Sequence, residues 1–373
     1  MGATSKFSKL FPWVQHPAII NGPMMGVVTP QLAAGVAKAG GFGFLAAIAD
    51  VSSPDSEHIR LLDTELTEAR SLLQEIAPQQ QQEQGDEAVL PVGIAFVTGH
   101  QSVTPSAFRA SVIPVLARHR PAAVWLFAPH GDDGDDGTNP HAGIVSALKE
   151  LATPPRVFVQ VGNVAAAREA CRHGADVLVC QGIDAGGHQF RKGSGVVSLV
   201  PEVRRALLGP GGEFAARDVA VVAAGGIATG EGVAAALALG ADGIVMGTRF
   251  TVTEESKYPE HRKQLVLSTS DGGISTFKSP FNDQIAKSTL WGELYDGRAI
   301  VGPVHEKFMA GSSLEDCHRH LEEEYSAEEG KKAIGTWAGT GVGLVTKRQP
   351  AGEVVKEVRE EAIGILRALA SGL

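Results

Sequence analysis

Short apolar runs recur along the first 250 residues and alternate with stretches whose apolar positions fall at helical spacing. The runs lie at 18–20, 43–46, 92–96, 123–127, 157–161, 177–180, 219–223 and 243–246, and polar residues are scarce in them. A strand covered on both faces reads this way, because neither face needs a side chain compatible with water. Between the runs, residues 31–39 end at Gly40-Gly41, where a helix stop is expected, and 59–76 carry a long amphipathic pattern. Strands alternating with helices imply parallel pairing through right-handed crossovers. Eight such units predict an α/β fold of the TIM (β/α)8 barrel type.

One unit is used twice. Gly162-Asn163-Val164 runs through a small-residue helix to Gly174-Ala175-Asp176 and a strand, and Gly225-Gly226-Ile227 runs through another to Gly240-Ala241-Asp242 and a strand. Glycine closes each helix and aspartate opens each strand. Successive barrel quarters explain the echo better than a solenoid, whose repeats would continue.

After Phe250 the rhythm changes. Residues 253–267 are predicted as a helix, 271–295 mix Gly, Ser, Thr and aromatics, 314–329 read as one exposed acidic helix, and 353–369 have the spacing of a helix packed outside the barrel. The expected division is a barrel at 1–256, a smaller α+β cap domain inserted after strand 8 at 257–335, and a C-terminal segment at 336–373 that returns to the barrel.

Composition narrows the functional classes. Hydrophobic residues make up 43% of the 373, enough for a large core, and the net charge of −9 argues against nucleic acid or an anionic membrane as main partner. No apolar run approaches the roughly 20 residues of a membrane span. The N-terminus lacks the apolar core of a secretory signal. Cys171, Cys180 and Cys317 are odd in number and lack metal-ligand spacing. The first two sit in apolar contexts and are expected to pack as small hydrophobes, a usage suited to a reducing compartment. A cytoplasmic protein is expected, with organelle import compatible. The acidic loop 131–137 lacks the glutamate that closes a calcium loop, so it reads as solvated and no metal is expected. The glutamine-rich stretch 79–84 reads as a solvated linker.

The chemistry is expected at the carboxyl ends of the strands. After the seventh and eighth come Ala224-Gly225-Gly226-Ile227 and Met246-Gly247-Thr248-Arg249. Glycines there expose backbone N–H groups where a helix begins, which favours a phosphate, and Thr248 adds a hydroxyl. No Walker loop occurs, and Gly339-Thr340-Gly341-Val342-Gly343 lies far from any βαβ start, so dinucleotide binding is weakly supported. A mononucleotide with a broad ring fits better, flanked by Met24, Met25, Gln160, Gln181 and the Gly186-Gly187 backbone. The glutamine amides suit a flavin edge, which carries both donors and acceptors. His188, just after the glycine pair, is placed to exchange a proton with whatever the ring reacts with. His16, His100, His130 and His141 read as surface loop histidines.

At this point the motifs match a known family. Ile20-Asn21-Gly22-Pro23-Met24, Asp184-Ala185-Gly186-Gly187-His188, Ala224-Gly225-Gly226-Ile227 and Gly240-Ala241-Asp242 through Met246-Gly247-Thr248-Arg249-Phe250 resemble the nitronate monooxygenases, formerly 2-nitropropane dioxygenases. Trp291-Gly292, Tyr295-Asp296-Gly297-Arg298 and the 338–343 stretch look like one branch of that family. The resemblance implies an FMN-dependent barrel enzyme that oxidises alkyl nitronates with oxygen to a carbonyl compound and nitrite; a homodimer is compatible with it. It further implies that Pro23, Met24 and Met25 contact the flavin ring, that Gln160, Gln181, Gly186 and Gly187 follow around it, and that Gly225, Gly226, Gly247 and Thr248 hold the phosphate. Ala224 and Met246 complete the cofactor-binding set. His188 would be the catalytic residue, its Nε2 donating to the nitronate oxygens or removing a carbon proton from a neutral nitroalkane. Asp184 stands where Glu is common, and Ala95 and Val97 where some members carry Asn and Thr. Two alternatives stay open: a flavin-dependent NAD(P)H:quinone or enoyl-acyl-carrier-protein reductase, which shares the Gly-Gly-His element, and a non-catalytic barrel binding a phosphorylated metabolite.

Overall fold

The computed structural model describes residues 5–74, 88–129, 131 and 139–372. The glutamine-rich stretch, His130 and nearly all of the acidic loop lie outside them. Every predicted apolar run is a strand: β1 (Ala18–Asn21), β2 (Gly43–Ile48), β3 (Leu90–Val97), β4 (Pro121–Phe127), β5 (Arg156–Val161) and β6 (Val177–Gln181), then, past the short β7 (Gly187–Phe190), β8 (Ala220–Ala224) and β9 (Gly243–Met246). The order β1-β9-β8-β6-β5-β4-β3-β2 is parallel throughout, and a bridge between Ile20 and Phe42 closes it into a barrel. At this last seam the buried Asn21 stands in for a peptide. Its Nδ2 donates to Phe44 O at 2.8 Å and its Oδ1 accepts Phe44 N–H at 2.9 Å, satisfying backbone groups that the splayed ladder leaves open.

The two faces of the strands fill different spaces. Ile19, Leu178, Cys180, Val221 and Ile244 point outward into the layer under the helices. Ile20, Phe44, Phe158, Val179 and Val222 point inward, where Phe7 from the N-terminal helix Lys6–Leu10 and Phe11 at its C-cap plug the amino end. Phe11 lies 4.6 Å from Phe42 and 5.8 Å from Phe158, centroid to centroid. The amino end is thereby packed with aromatic rings, and the cavity lies at the carboxyl end. Cys171 and Cys180 are buried in the outer layer, and burial pushes their thiols up to about 11 and about 12, out of reach of nucleophilic use at neutral pH.

The internal echo has a structural cause. Gly174 and Gly240 close their helices at φ 96° and 99°. In each copy the following aspartate ties two strands together: Asp176 Oδ2 accepts Val157 N–H and Asp242 Oδ2 accepts Val221 N–H, both at 2.8 Å. Side-chain caps start the crossover helices; Thr29, Ser56, Thr104 and Asn163 each accept the N–H three residues on.

The C-terminal helix, Ala351–Ser371, packs against the crossover helices Pro30–Lys38 and Gly230–Ala238 through an apolar face and one buried cation. Arg359 donates to Pro17 O, Ala39 O and Gly40 O at 3.3, 2.8 and 2.9 Å. Arg359→Met would leave three carbonyls short of a charged donor. We expect a loss of about 2–4 kcal/mol in urea-induced unfolding, since each buried polar group left unpaired costs ~1–3 kcal/mol. A midpoint equal to wild type would show that the guanidinium is dispensable.

Past β9 two expectations are corrected. The helix predicted over 253–267 is Glu260–Ser268, because Pro259 sits at its N-cap and disfavours helical backbone in the residue before it. The acidic helix predicted over 314–329 is two, Leu314–Glu324 and Ala327–Ala333. Ser326 begins the second with a capping box closed by Glu329, a signal that outweighs the continuous acidic pattern. The strands here are β10 (Thr276–Ser279), β11 (Tyr295–Ile300) and β12 (Thr336–Trp337). β11 pairs antiparallel with β10, with β12 and with β7. The strand bearing His188 thus belongs to this second sheet, although it follows a barrel strand in sequence.

Candidate active site

The carboxyl end of the barrel opens into a cavity of about 610 Å³. Every predicted site residue lines it except Met246. That side chain faces the outer core, and only its carbonyl, which accepts Gly22 N–H at 2.9 Å, turns toward the loops. Pro23, Met24 and Met25 follow β1; Gln160 is the penultimate residue of β5 and Gln181 the last of β6; Ala224 ends β8. Ala95, Val97 and Trp125 add an apolar wall from β3 and β4.

The two glutamines are fixed by a one-way chain of donors. Trp125 Nε1 can only donate, so Gln160 must turn its oxygen to it, at 3.2 Å. Gln160 Nε2 therefore donates to Gln181 Oε1 at 2.7 Å, and Gln181 Nε2 to the carbonyl of His188 at 3.1 Å. Each amide keeps one further N–H for a ligand in the cavity.

At the opposite side, two loops present bare backbone. Gly225 and Gly226 both have positive φ, 103° and 74°, which only glycine adopts freely. The helix that follows starts at Gly230, several residues on, so the expected helix-terminus effect does not act at these two glycines. Their positive charge comes instead from unpaired amides: the N–H groups of Gly225, Gly226 and Gly247 donate to no acceptor among the described residues. Thr248 Oγ1 accepts Gly339 N–H at 3.0 Å, so its own hydrogen remains available. Half-buried donors without acceptors are costly to leave dry, and three of them beside a hydroxyl suit an anion. Arg262, a cation that the sequence pattern did not single out, also lines the cavity, with its guanidinium 5.7 Å from the Tyr258 ring.

The Gly-rich stretch near residue 340 has a packing role. A side chain on Gly186 would come within 2.4 Å of the Ala338 carbonyl carbon, and one on Gly339 within 2.5 Å of Asp184 O. Two backbones lie against each other here, fastened by Thr340 N–H to Asp184 O at 3.0 Å and Thr340 Oγ1 to Asp184 Oδ1 at 3.1 Å. Asp184 ties the His188 loop to this segment.

His188 is almost covered. Its ring lies flat on Trp291, 3.6 Å between centroids at 10°, with Trp337 tilted 4.8 Å away. The expectation that Nε2 meets substrate is not met in this arrangement: Nε2 stands 2.8 and 3.0 Å from the two carboxylate oxygens of Asp283. Asp283 comes from the short helix Phe281–Ile285, 95 residues along the chain. Trp291 was named in the sequence only as part of a family motif, without a role at the site, and Asp283 and Trp337 were not named as site residues; nothing local in Ser-Pro-Phe-Asn-Asp-Gln distinguishes that aspartate from a turn residue. His141 is a second departure. It is buried, with Nε2 2.8 Å from Thr98 Oγ1, whereas His16 is exposed and His100 half-buried. Among the described residues no cluster of three or more metal-ligating side chains occurs and no helix is long and apolar enough to cross a membrane.

Residues 137–361 match the family profile described as nitronate monooxygenase. A nitronate monooxygenase of Neurospora crassa is 44% identical over 370 residues, covering 96% of this chain and 93% of that protein. The chain belongs to the nitronate monooxygenase family. It is therefore an oxidoreductase of that family on a TIM barrel. Nitroalkane oxidase from Streptomyces ansochromogenes superposes with a TM-score of 0.67 at 25% identity, over 98% of this chain and all of that one. FabK from Thermotoga maritima gives 0.70 at 23% identity over 99% of each chain, a likeness of fold.

Proposed function

We propose that this chain binds FMN in the barrel-mouth cavity and oxidises alkyl nitronates, with dioxygen as oxidant, to a carbonyl compound and nitrite. Neutral nitroalkanes would enter the same reaction after losing a carbon proton. The observation that carries the reading is the set of unpaired donors at Gly225, Gly226 and Gly247 beside the Thr248 hydroxyl, on the wall of a cavity that His188 also lines. The residues fit the cofactor. A cavity of 610 Å³ lies within the range of about 300–1,000 Å³ that holds ligands of this size. The backbone amides and Thr248 would hold the phosphate, Gln160 and Gln181 would meet the polar edge of the ring with their spare N–H groups, and Met24 would flank its face.

The bound flavin would supply the redox chemistry, accepting electrons from substrate and returning them to dioxygen. The protein's part is orientation, exclusion of water and one proton. A nitronate already carries the carbanion's electron pair, so it needs no base; a nitroalkane does, and His188 is the titratable ring at the cavity. We infer that residues 257–335 act as a cap over a barrel formed by 1–256, with 336–373 returning to it; Asp283 and Trp291 on the cavity wall support this.

The purified protein is expected to be yellow and to release FMN, identified by mass, on denaturation. In air it should form nitrite and acetaldehyde from ethyl nitronate, and without air nitronate should bleach the flavin faster than NADH does. A protein that stays colourless in excess FMN, or one that NADH bleaches faster, would overturn the proposal in favour of a metabolite-binding barrel or a flavin reductase respectively.

A further inference from the structure

We propose that Asp283 is a positioning residue that acts through His188: it holds the hydrogen of the neutral ring on Nε2, so that Nδ1 is the base. This rests on the reading of His188 as the group that takes the carbon proton. An ionised carboxylate only accepts, and both oxygens of Asp283 lie within 3.0 Å of Nε2, so Nε2 must carry the hydrogen between them. A neutral imidazole has one N–H, which leaves the lone pair on Nδ1. Nδ1 makes no hydrogen bond to any described residue. The side chains of the pair are only 10% and 16% exposed, so competition from water for the carboxylate is slight. The indole of Trp291 against the ring face opposes rotation out of this pose.

The charged groups on β10 and β11 are engaged elsewhere. On β11, Arg298 donates to Ile183 O and Thr276 Oγ1, and Asp296 pairs with Arg191. Lys278 on β10 donates to Phe190 O and Arg191 O, and Arg262 stands against Tyr258. Asp283 is thus the carboxylate that orients the ring. In the step itself the Nδ1 lone pair takes the proton from the carbon bearing the nitro group. The C–H bonding pair becomes the C=N bond of the nitronate, and its negative charge rests on the two nitro oxygens. The imidazolium keeps its Nε2 hydrogen against Asp283, which stabilises the new positive charge.

Two measurements test this. In wild-type protein labelled with 15N-histidine, the signals lost in His188→Gln identify His188, and near neutral pH its Nε2 should show the protonated shift and Nδ1 the unprotonated one. In Asp283→Asn, the kcat/KM for nitroethane should fall relative to that for ethyl nitronate by about 10²-fold or more, as for loss of a positioned base. Asp283→Glu should recover part of the ratio. An Nδ1–H tautomer in the wild-type protein, or nitroethane and nitronate falling in parallel in Asp283→Asn, would overturn the proposal; the tautomer is readable even if the Asp283 variants do not fold. Failure of the underlying reading looks different: His188→Gln would then keep the wild-type ratio of the two substrates.

Discussion

His188→Ala is expected to purify with its flavin and to lose neutral nitroalkane turnover by about 10²–10⁴-fold, the range that a positioned general base contributes. Flavin retention follows from where the imidazole sits. The donors proposed for the phosphate are the amides of Gly225, Gly226 and Gly247 and the Thr248 hydroxyl, none of which His188 touches. The contact between Gln181 and position 188 uses the backbone carbonyl, which alanine keeps. Pre-formed nitronate should suffer much less, because its carbon proton is already gone, so the substrate ratio is the diagnostic quantity. Nitrite release from nitroethane and from ethyl nitronate, at equal flavin content, provides it. If both substrates lose activity equally, the ring serves binding or packing against Trp291 and the assignment of a base is wrong. If neither changes, His188 leaves the mechanism altogether.

How much of this arrangement was legible beforehand follows from how local each signal is. Barrel strands buried on both faces announce themselves as apolar runs, so β1 to β6, β8 and β9 could be read directly. The glycine turn at Gly225-Gly226 could be read as the proposed phosphate site because its positive φ is a local backbone requirement for glycine. The expected cause was wrong in detail: the amides are unpaired in their loops, and the nearest full helix begins only at Gly230. Contacts between distant segments left no local trace. β7 looks like the tail of a glycine loop until Tyr295–Ile300 pairs with it, and its strand character depends on that partner. Asp283 and Trp291 meet His188 from about a hundred residues away, in a stretch without βα periodicity. Met246, flanked by site glycines, was drawn into the site by adjacency, although strand alternation turns its side chain to the outer core.

Acid is expected to destabilise the folded chain through His141 well before the carboxylates titrate. The residue follows a proline and a polar loop, which made it look exposed, yet it opens the helix His141–Lys149 and turns inward. Thr98 donates its hydroxyl hydrogen to Phe127 O at 2.9 Å, so it receives the Nε2–H of a neutral His141 at 2.8 Å. Burial, reinforced by His173, pushes His141 down to about 3. The unfolded chain takes up this proton near pH 6.5, whereas the folded one holds it off until about 3. Between those values the unfolded state binds the extra proton, so stability from this group is complete above pH 6.5 and is lost as pH falls. The slope is about 1.4 kcal/mol per pH unit, or roughly 2 kcal/mol between pH 7 and pH 5. His305, whose pKa burial also lowers, adds in the same direction, so the wild-type curve alone does not isolate His141. His141→Gln does: its amide can still donate to Thr98 but has nothing to titrate. Urea midpoints for both proteins at pH 7, 6 and 5 should converge as pH falls, with His141→Gln losing about 2 kcal/mol less over that span. Curves that stay parallel would mean that the imidazole takes up its proton in the folded state as readily as in the unfolded one, by admitting water or by turning out of the interior.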